Sequence, residues 1–282
     1  MRFLLSALTL ASGAFALSPT APQDAYSCVR AAPKLSCTAD PVVDPTSFGT
    51  CCYNGALQAG FKESGLVLAT QFWTSNSHVG QGPNNSFTIH GLWPDYCDGS
   101  YPQYCTKDSG IPEFDGAQIK AQLAQYAPST LNYMNTYYKD ISGDDASFWD
   151  HEYNKHGTCF STLRAKCQIP TRGMNQTSAA LVGYFEEIVR QFKRLPTYDW
   201  LASASILPSS TTTYPLASIQ NVLTSKHGGV PYIGCNKNGT SLSEVWYYYH
   251  TRGPLIHGLY QPTNSTTKSS CKSDVQYLPK LL

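Results

Sequence analysis

One stretch of twelve residues carries most of the side chains in this sequence that could do chemistry. It reads Phe148-Trp149-Asp150-His151-Glu152-Tyr153-Asn154-Lys155-His156-Gly157-Thr158-Cys159. On a helix, His151, Lys155, Glu152 and His156 would lie within about 140° of one another, so one face could hold all four. Two imidazoles can serve as proton donor and proton acceptor, and the ammonium adds a fixed positive charge. This set suits a transition state that gains negative charge, and a phosphodiester is the obvious substrate class.

A zinc site is the main alternative, because His-Glu-x-x-His on a helix is the zinc-protease pattern. Here the second histidine comes one residue late, and Lys155 occupies the position of the second ligand. Its ammonium would repel a divalent cation, so we expect neither a metal nor a cofactor. The other alternative is an exposed polar helix face without chemistry.

A second candidate segment surrounds His90. Apolar and polar residues alternate from Phe87 to His90, which predicts a strand that points His90 away from the apolar side. We expect this strand to end soon after His90, in a turn from which Trp93 and Asp95 project, because sites are often built at such positions. A lone histidine in a strand is more often structural, but these neighbours and Tyr101 favour a functional interpretation.

Periodicity predicts the elements that must position these two segments. Acidic and hydroxyl residues before Phe148 mark a helix start, and Gly157 is expected to supply the left-handed turn that ends this helix. The longest amphipathic helix should span Ser178 to Leu195 and end at Pro196. Further elements are predicted as helices at 118–126, 129–139 and 216–226 and as strands at 65–73 and 244–251.

The beginning of the chain has the pattern of a secretory signal peptide. Positive charge at Arg2, an apolar run to Leu10 and small residues up to Ala16 predict cleavage after Ala16. A short polar segment (17–26) and a single domain (27–282) should follow. No later apolar run is long enough to cross a bilayer, so we expect no membrane association. The expected location is extracellular, with a vacuole-like compartment as the alternative.

Other features of the composition agree with secretion. Ten cysteines, an even number, predict five disulfides, although spacing alone leaves their pairing open. Glycosylation sequons begin at Asn84, Asn175, Asn238 and Asn264. The formal charge of +1 provides no global basic field, so a polyanionic substrate must be attracted locally, within a cleft. We expect the protein to act as a monomer.

Residues 87–94 and 148–159 together resemble the two active-site segments of the ribonuclease T2 family, and the ten-cysteine pattern resembles the fungal branch of that family. The resemblance covers nearly all of the chain after the signal peptide. It implies an α+β fold in which helices pack against a mostly antiparallel sheet. It also implies five disulfide pairs, which are Cys28–Cys52, Cys37–Cys97, Cys51–Cys167, Cys105–Cys159 and Cys235–Cys271.

The resemblance further implies metal-free cleavage of single-stranded RNA. The ribose 2′-hydroxyl would attack its own phosphorus and leave a 2′,3′-cyclic phosphate, which water would open more slowly to a 3′-phosphate. By resemblance His156 is the general base, His90 is the general acid, Lys155 and Glu152 flank the phosphorus, and His151 binds phosphate. An RNA-binding protein that keeps the fold without turnover is the rival class. Such a protein should have lost a histidine, and all three are present.

The same resemblance implies how bases are bound. Trp93, Asp95 and Tyr101 are similar to the pocket for the base on the 5′ side of the cut, and Phe148 would stack on the base on its 3′ side. The carboxylate of Asp95 can accept a hydrogen bond from the amino group of adenine, which predicts broad base tolerance with a preference for adenine. In the alternative, Asp95 only accepts from turn amides.

Overall fold

A computed structural model describes residues 35–37, 51–55 and 64–281 of the chain. The strands are β1 (Leu66–Phe72), β2 (Thr88–Asp95), β3 (Thr213–Pro215), β4 (Tyr232–Cys235), β5 (Leu242–Arg252), β6 (Leu259–Thr263) and β7 (Asp274–Gln276). The central element of the fold is a five-stranded antiparallel sheet with the order β2-β1-β5-β4, and β6 is also paired to β5. A separate two-stranded sheet pairs β3 with β7.

Helices pack on this sheet, so the predicted α+β class is confirmed. All the helices and strands predicted from periodicity are present, and most of their bounds agree to within three residues. Two short helices (Thr106–Ser109 and Thr197–Ser203) and three short strands (β3, β4 and β6) were not predicted, because three to seven residues are too few to show a period. The described α-helices are α1 (Thr106–Ser109), α2 (Gly116–Tyr126), α3 (Pro128–Tyr137), α4 (Asp145–Lys155), α5 (Gln176–Arg194), α6 (Thr197–Ser203) and α7 (Leu216–His227).

Strand β2 corrects one prediction, because it does not end in a turn soon after His90. It runs on to Asp95, which pairs with Leu66 at the far end of β1. The pairing is interrupted by a bulge: Gln71 is opposite Ile89 and Thr70 is opposite Gly91, so no residue of β1 is opposite His90. A bulge interrupts the regular alternation of side chains and changes the face on which the following residues lie. His90 can therefore share a face with Trp93, three residues later, which regular alternation would forbid.

Helix α4 corrects a second prediction. Its start is as expected, since the side chain of Asp144 accepts a hydrogen bond from the backbone N–H of Ser147 (3.1 Å). Its end is not a left-handed glycine. Gly157 instead begins a 3₁₀ turn, and a Cβ added to it would lie 2.9 Å from the ring of Tyr153. Glycine is needed here because that ring packs closely, and not because of a positive φ.

The long helix α5 fixes α4 against the sheet. Thirteen of its nineteen residues are buried, as its amphipathic pattern predicted. Among them, Tyr184 donates its hydroxyl hydrogen bond to the carbonyls of Leu92 in β2 (3.0 Å) and Glu152 in α4 (3.3 Å). One buried side chain thus sets the distance between the strand that carries His90 and the helix that carries Glu152.

Four of the five predicted disulfides are confirmed, and the fifth involves Cys28, which lies outside the described residues. The predicted signal peptide and the polar segment 17–26 also lie outside them. Among the helices that the structure describes, none combines the length and apolar character required to span a membrane. The confirmed bridges are Cys37–Cys97, Cys51–Cys167, Cys105–Cys159 and Cys235–Cys271.

Candidate active site

A cavity of about 410 Å³ lies between α4 and the sheet. Eight of the nine side chains predicted to act on substrate line it, although they come from segments about sixty residues apart. The exception is Phe148, which lies beside it, 5.9 Å from the ring of His90. The lining residues are His90, Trp93, Asp95, Gly99, Tyr101, His151, Glu152, Lys155, His156, Trp246 and Thr267.

Glu152 forms the floor of this cavity. Its side chain is only 1% exposed, and its Oε2 accepts a hydrogen bond from the indole N–H of Trp93 (2.7 Å). Gly91 makes the approach possible, because a Cβ at that position would lie 2.1 Å from Oε2. Burial raises the pKa of Glu152 from 4.5 to about 8, although the Trp93 N–H and the charge of Lys155 oppose the shift. The carboxyl is therefore neutral over most of the physiological range.

His90 stands over the same carboxyl. Its ring stacks on Phe72 with centroids 3.7 Å apart, and its Nε2 lies 3.7 Å from Oε1 of Glu152. Burial lowers the pKa of His90 well below 6.5, and it is lowered further by electrostatic repulsion from the ammonium of Lys155 and from the protonated forms of His156 and His151. The free protein therefore holds a proton on this ring only at acidic pH, or when a negative charge approaches.

His156 is the residue directly after the last turn of α4. Its backbone N–H still donates to the carbonyl of Glu152 (3.1 Å), and its ring stacks on Trp93 with centroids 4.9 Å apart. Neither ring nitrogen has a hydrogen-bond partner within the described residues, although both are buried. Burial, then Lys155 and His151, hold the pKa of His156 far below its usual value. The ring is therefore neutral and can accept a proton.

The remaining predicted residues of α4 occupy the mouth of the cavity. His151 is exposed and Lys155 is partly exposed, whereas Glu152 and His156 are buried. The four side chains do share one side of the helix, as their spacing predicted, but at different depths. This arrangement can present a cation and an imidazole to an incoming anion, with a neutral acid and a neutral base below them.

The other end of the cavity combines aromatic rings with a carboxyl. Tyr101 is 58% exposed, whereas Asp95 is only 8% exposed. Burial raises the pKa of Asp95 to about 7. The turn after β2 uses another carboxylate, since Asp98 accepts from the N–H (3.0 Å) and hydroxyl (2.5 Å) of Ser100. Asp95 itself lines the cavity.

Sequence reasoning missed four side chains at this site. Trp246 and Thr267 line the cavity, Phe72 supports His90, and Glu244 approaches His90 from the side opposite Glu152. Glu244 and Trp246 are two residues apart in β5, so they share one face of that strand. A carboxylate and an indole that alternate with the apolar residues Val245 and Tyr247 were the available signal. Their position beside His90 depends on strand register, which the local pattern does not contain.

The side chains of the cavity do not form a ligand set for a metal ion. Nowhere in 35–37, 51–55 or 64–281 do three His, Cys, Asp or Glu side chains converge as metal ligands. His151 and Glu152 differ in depth, and the ammonium of Lys155 lies between the two histidines of α4 in sequence. The donor set suits an anionic ligand better than a cation.

Comparison with known proteins gives a consistent result. The model of the Ribonuclease T2 family matches residues 64–257. Ribonuclease Trv from Hypocrea rufa is 40% identical over 250 residues, which cover 87% of this chain and 95% of that protein. Ribonuclease T2 from Aspergillus oryzae is 37% identical over 280 residues, with coverages of 98% and 90%. Ribonuclease T2-like 1-A from Candida albicans is 38% identical over 251 residues (87% of this chain), which span only 59% of that longer protein.

Solved structures agree with these relatives. The crystal structure of Actibind, described as a T2 ribonuclease, is 36% identical with a TM-score of 0.75, and the match covers 88% of this chain and 96% of Actibind. The structure of RNase NT in complex with 5′-AMP is 21% identical with a TM-score of 0.55, and covers 76% of this chain and 98% of RNase NT. At that lower identity the likeness concerns the fold.

Proposed function

Because the chain belongs to the ribonuclease T2 family, we propose that its cavity cleaves single-stranded RNA by attack of the ribose 2′-hydroxyl on the adjacent phosphorus. The observation that carries this proposal is the meeting of His90, His156, Glu152 and Lys155 in one cavity. A neutral base, an acid, a neutral carboxyl and a cation are the groups that this reaction needs. No metal-bound nucleophile is required, since the substrate carries its own.

In the first step, His156 accepts the proton of the 2′-hydroxyl. Its unpartnered, neutral ring suits this role. The oxygen bonds to phosphorus, the bond to the 5′-oxygen breaks, and His90 gives that oxygen its proton. The product is a 2′,3′-cyclic phosphate. In the slower second step water opens the ring, and the two histidines exchange roles to leave a 3′-phosphate.

Lys155 and Glu152 act on the phosphoryl oxygens. The ammonium of Lys155 neutralises the charge that develops in the transition state. Glu152 is protonated below about pH 8 and can donate a hydrogen bond to an oxygen that an ionised carboxylate would repel. His151, exposed at the mouth, binds a neighbouring phosphate of the chain.

Base binding divides between the two ends of the site. The rings of Trp93 and Tyr101 give affinity for any base 5′ of the cut, and Asp95 accepts from the amino group of adenine. Phe148, beyond His90, stacks on the base 3′ of the cut. We therefore expect broad specificity with a preference for adenine, and the absence of turn-amide contacts to Asp95 among the described residues supports this.

We further propose that the protein is a secreted, glycosylated monomer with a signal peptide at 1–16 and one catalytic domain at 27–282. The asparagine of each sequon is exposed, so an oligosaccharide could reach all four. Two of them also accept backbone hydrogen bonds through Oδ1, namely Asn175 from Ser178 (2.8 Å) and Asn264 from Val230 (2.9 Å). Within the described part of the chain, the amide nitrogen that carries a glycan has no hydrogen-bond partner in either residue.

Product analysis on a dinucleotide tests the reaction type. We expect a transient 2′,3′-cyclic phosphate followed by a 3′-phosphate, no cleavage of single-stranded DNA, and unchanged activity in excess chelator. Binding of RNA without any product would instead support the non-catalytic rival. Comparable cleavage of DNA would exclude the 2′-hydroxyl as nucleophile.

Substitution of the two histidines tests their roles. His90→Ala and His156→Ala should each lower turnover by roughly 10²- to 10⁴-fold. The loss of turnover in the double variant should be far smaller than the product of the two single losses, because the two histidines act as a unit. His78→Ala, at an exposed position away from the cavity, is the control. Near-normal turnover in either single variant, with a native circular dichroism spectrum, would refute that assignment.

A further inference from the structure

His90 has a carboxyl group beside each of its ring nitrogens. Nε2 lies 3.7 Å from Oε1 of Glu152, and Nδ1 lies 3.8 Å from Oε2 of Glu244. Nδ1 is buried and has no hydrogen-bond partner within the described residues. A buried ring nitrogen normally pairs with some polar group, so a carboxyl just beyond hydrogen-bond distance marks a contact that tightens when the ring is charged.

Glu244 is held in place by the same kind of arrangement that holds Glu152. Its Oε2 accepts a hydrogen bond from the indole N–H of Trp246 (2.8 Å). It lies over Gly234 of the neighbouring strand β4, where an added Cβ would be 2.3 Å from its Cγ and 2.7 Å from its Oε1. Both carboxyls are thus oriented by an indole and lodged above a glycine. Two such units on opposite sides of one imidazole indicate that both carboxyls are held in fixed positions beside the ring of His90.

We propose that Glu244 is the positioning residue of His90, which keeps a proton on Nδ1 so that Nε2 is the nitrogen that releases a proton to the leaving oxygen. This inference rests on the proposed role of His90 as general acid. In that step the proton on Nε2 passes to the 5′-oxygen as its bond to phosphorus breaks. The imidazole is left neutral, with its remaining hydrogen on Nδ1 facing Glu244.

The charges around His90 explain why such a residue is needed. From α4 and the residue after it, Lys155, His151 and His156 all disfavour a proton on the ring, and burial acts in the same direction. The aromatic rings that face it, from Phe72, Trp93 and Phe148, carry no charge. A negative charge must offset these effects if the ring is to act as an acid.

Of the two carboxyls, Glu244 is the better source of that charge. Burial raises the pKa of both, but the side chain of Glu244 is 20% exposed and that of Glu152 only 1%. The less buried group loses its proton first, because desolvation penalises its charged form less. Glu244 is therefore the carboxyl that more readily supplies the negative charge beside the imidazolium, and Glu152 more readily keeps its proton for the phosphoryl oxygens.

Glu244→Gln removes the charge and keeps an oxygen for the Trp246 N–H. In the free protein, titration of the His90 ring by nuclear magnetic resonance should show its pKa lowered by about one unit. The descending limb of kcat/KM against pH should shift to lower pH by the same amount. At pH values above this limb kcat/KM should fall by about 10-fold, and at pH values well below it kcat/KM should change by less than 2-fold. Glu244→Asp, with a retracted carboxylate, should give a smaller shift in the same direction.

Glu186→Gln, which changes a surface carboxylate paired with Arg172, is the matched control and should leave the titration unchanged. An unaltered His90 titration in folded Glu244→Gln or Glu244→Asp would overturn the proposal, as would an equal loss of activity at every pH. The titration needs no substrate. If the ring pKa falls but the kinetic limb does not follow, the positioning role stands and the acid role of His90 fails.

Discussion

Replacing Glu152 with glutamine should inactivate the protein and yet stabilise it at neutral and alkaline pH. Burial raises the pKa of this carboxyl from 4.5 to about 8. Between those values it is protonated in the folded protein and ionised in the unfolded chain, so unfolding releases a proton. The free energy of unfolding therefore falls as the pH rises through this window, and the stability is fully present only below pH 4.5.

The magnitude follows from the size of the shift. One pKa unit corresponds to about 1.4 kcal/mol. The full shift from 4.5 to about 8 would therefore lower the free energy of unfolding by about 5 kcal/mol as the pH rises through this range. Because the effective dielectric around a cleft is well above that of a dry interior, we expect the realised loss to be about 2–4 kcal/mol. Glutamine has the same shape and can still accept from the Trp93 N–H, but it does not titrate. Its stability should therefore change less with pH.

Urea denaturation at pH 5 and pH 8.5 measures this difference. The wild type should lose about 2–4 kcal/mol more than Glu152→Gln between the two conditions. Glu187→Gln is the contrast: this carboxylate is equally buried but accepts hydrogen bonds from Arg190 (2.8 Å) and Gln191 (2.5 Å), so its loss should destabilise the protein at both pH values. Parallel pH dependence of wild type and Glu152→Gln would refute the reasoning.

Three further outcomes are expected. Because the pKa of His90 lies well below 6.5, kcat/KM should be highest at acidic pH and fall as the pH rises through a value below 6.5; a descending limb above pH 7 would contradict this. Gly91→Ala should lower turnover by about 10²-fold or more, since its Cβ would lie 2.1 Å from Glu152, and a native-like rate in the folded variant would show that Glu152 can move harmlessly. Asp95→Asn should lower the ratio of kcat/KM for ApU over UpU, and an unchanged ratio in a folded variant would leave Asp95 as structure only.

The residues of α4 could be predicted from sequence because everything that places them is local. Helical spacing puts His151, Glu152, Lys155 and His156 on one side, and the cap at Asp144 and the apolar pair after it mark the start. Their different depths could not be predicted. Depth depends on α5, whose Tyr184 holds the carbonyl of Glu152 and so sets how far α4 approaches the sheet.

The surroundings of His90 were less accessible to prediction, for a physical reason. Alternation correctly placed it opposite the apolar side, but the bulge that lets it share a face with Trp93 depends on how β1 pairs with β2. Glu244 and Trp246 come from β5, more than 150 residues later in the chain, and enter the site through pairing with β1. Strand register joins distant segments, and no local period records it.

Burial of the ionisable groups in the cleft bears on how a chain of low net charge could attract a polyanion. A formal charge of +1 cannot hold RNA at long range, so the cleft itself must be attractive. Ionised Asp95 and Glu152 would repel phosphate, but burial raises their pKa values to about 7 and about 8, which leaves Lys155 and the histidines to attract phosphate at acidic pH, while Glu244 faces His90 from the side opposite Glu152. Burial also lowers the pKa of His90, so the pH range in which this ring carries a proton is one in which both carboxyls are neutral. With His90 as the proposed general acid, burial would let the cleft attract phosphate and donate a proton in the same pH range, and a basic protein surface would not be needed.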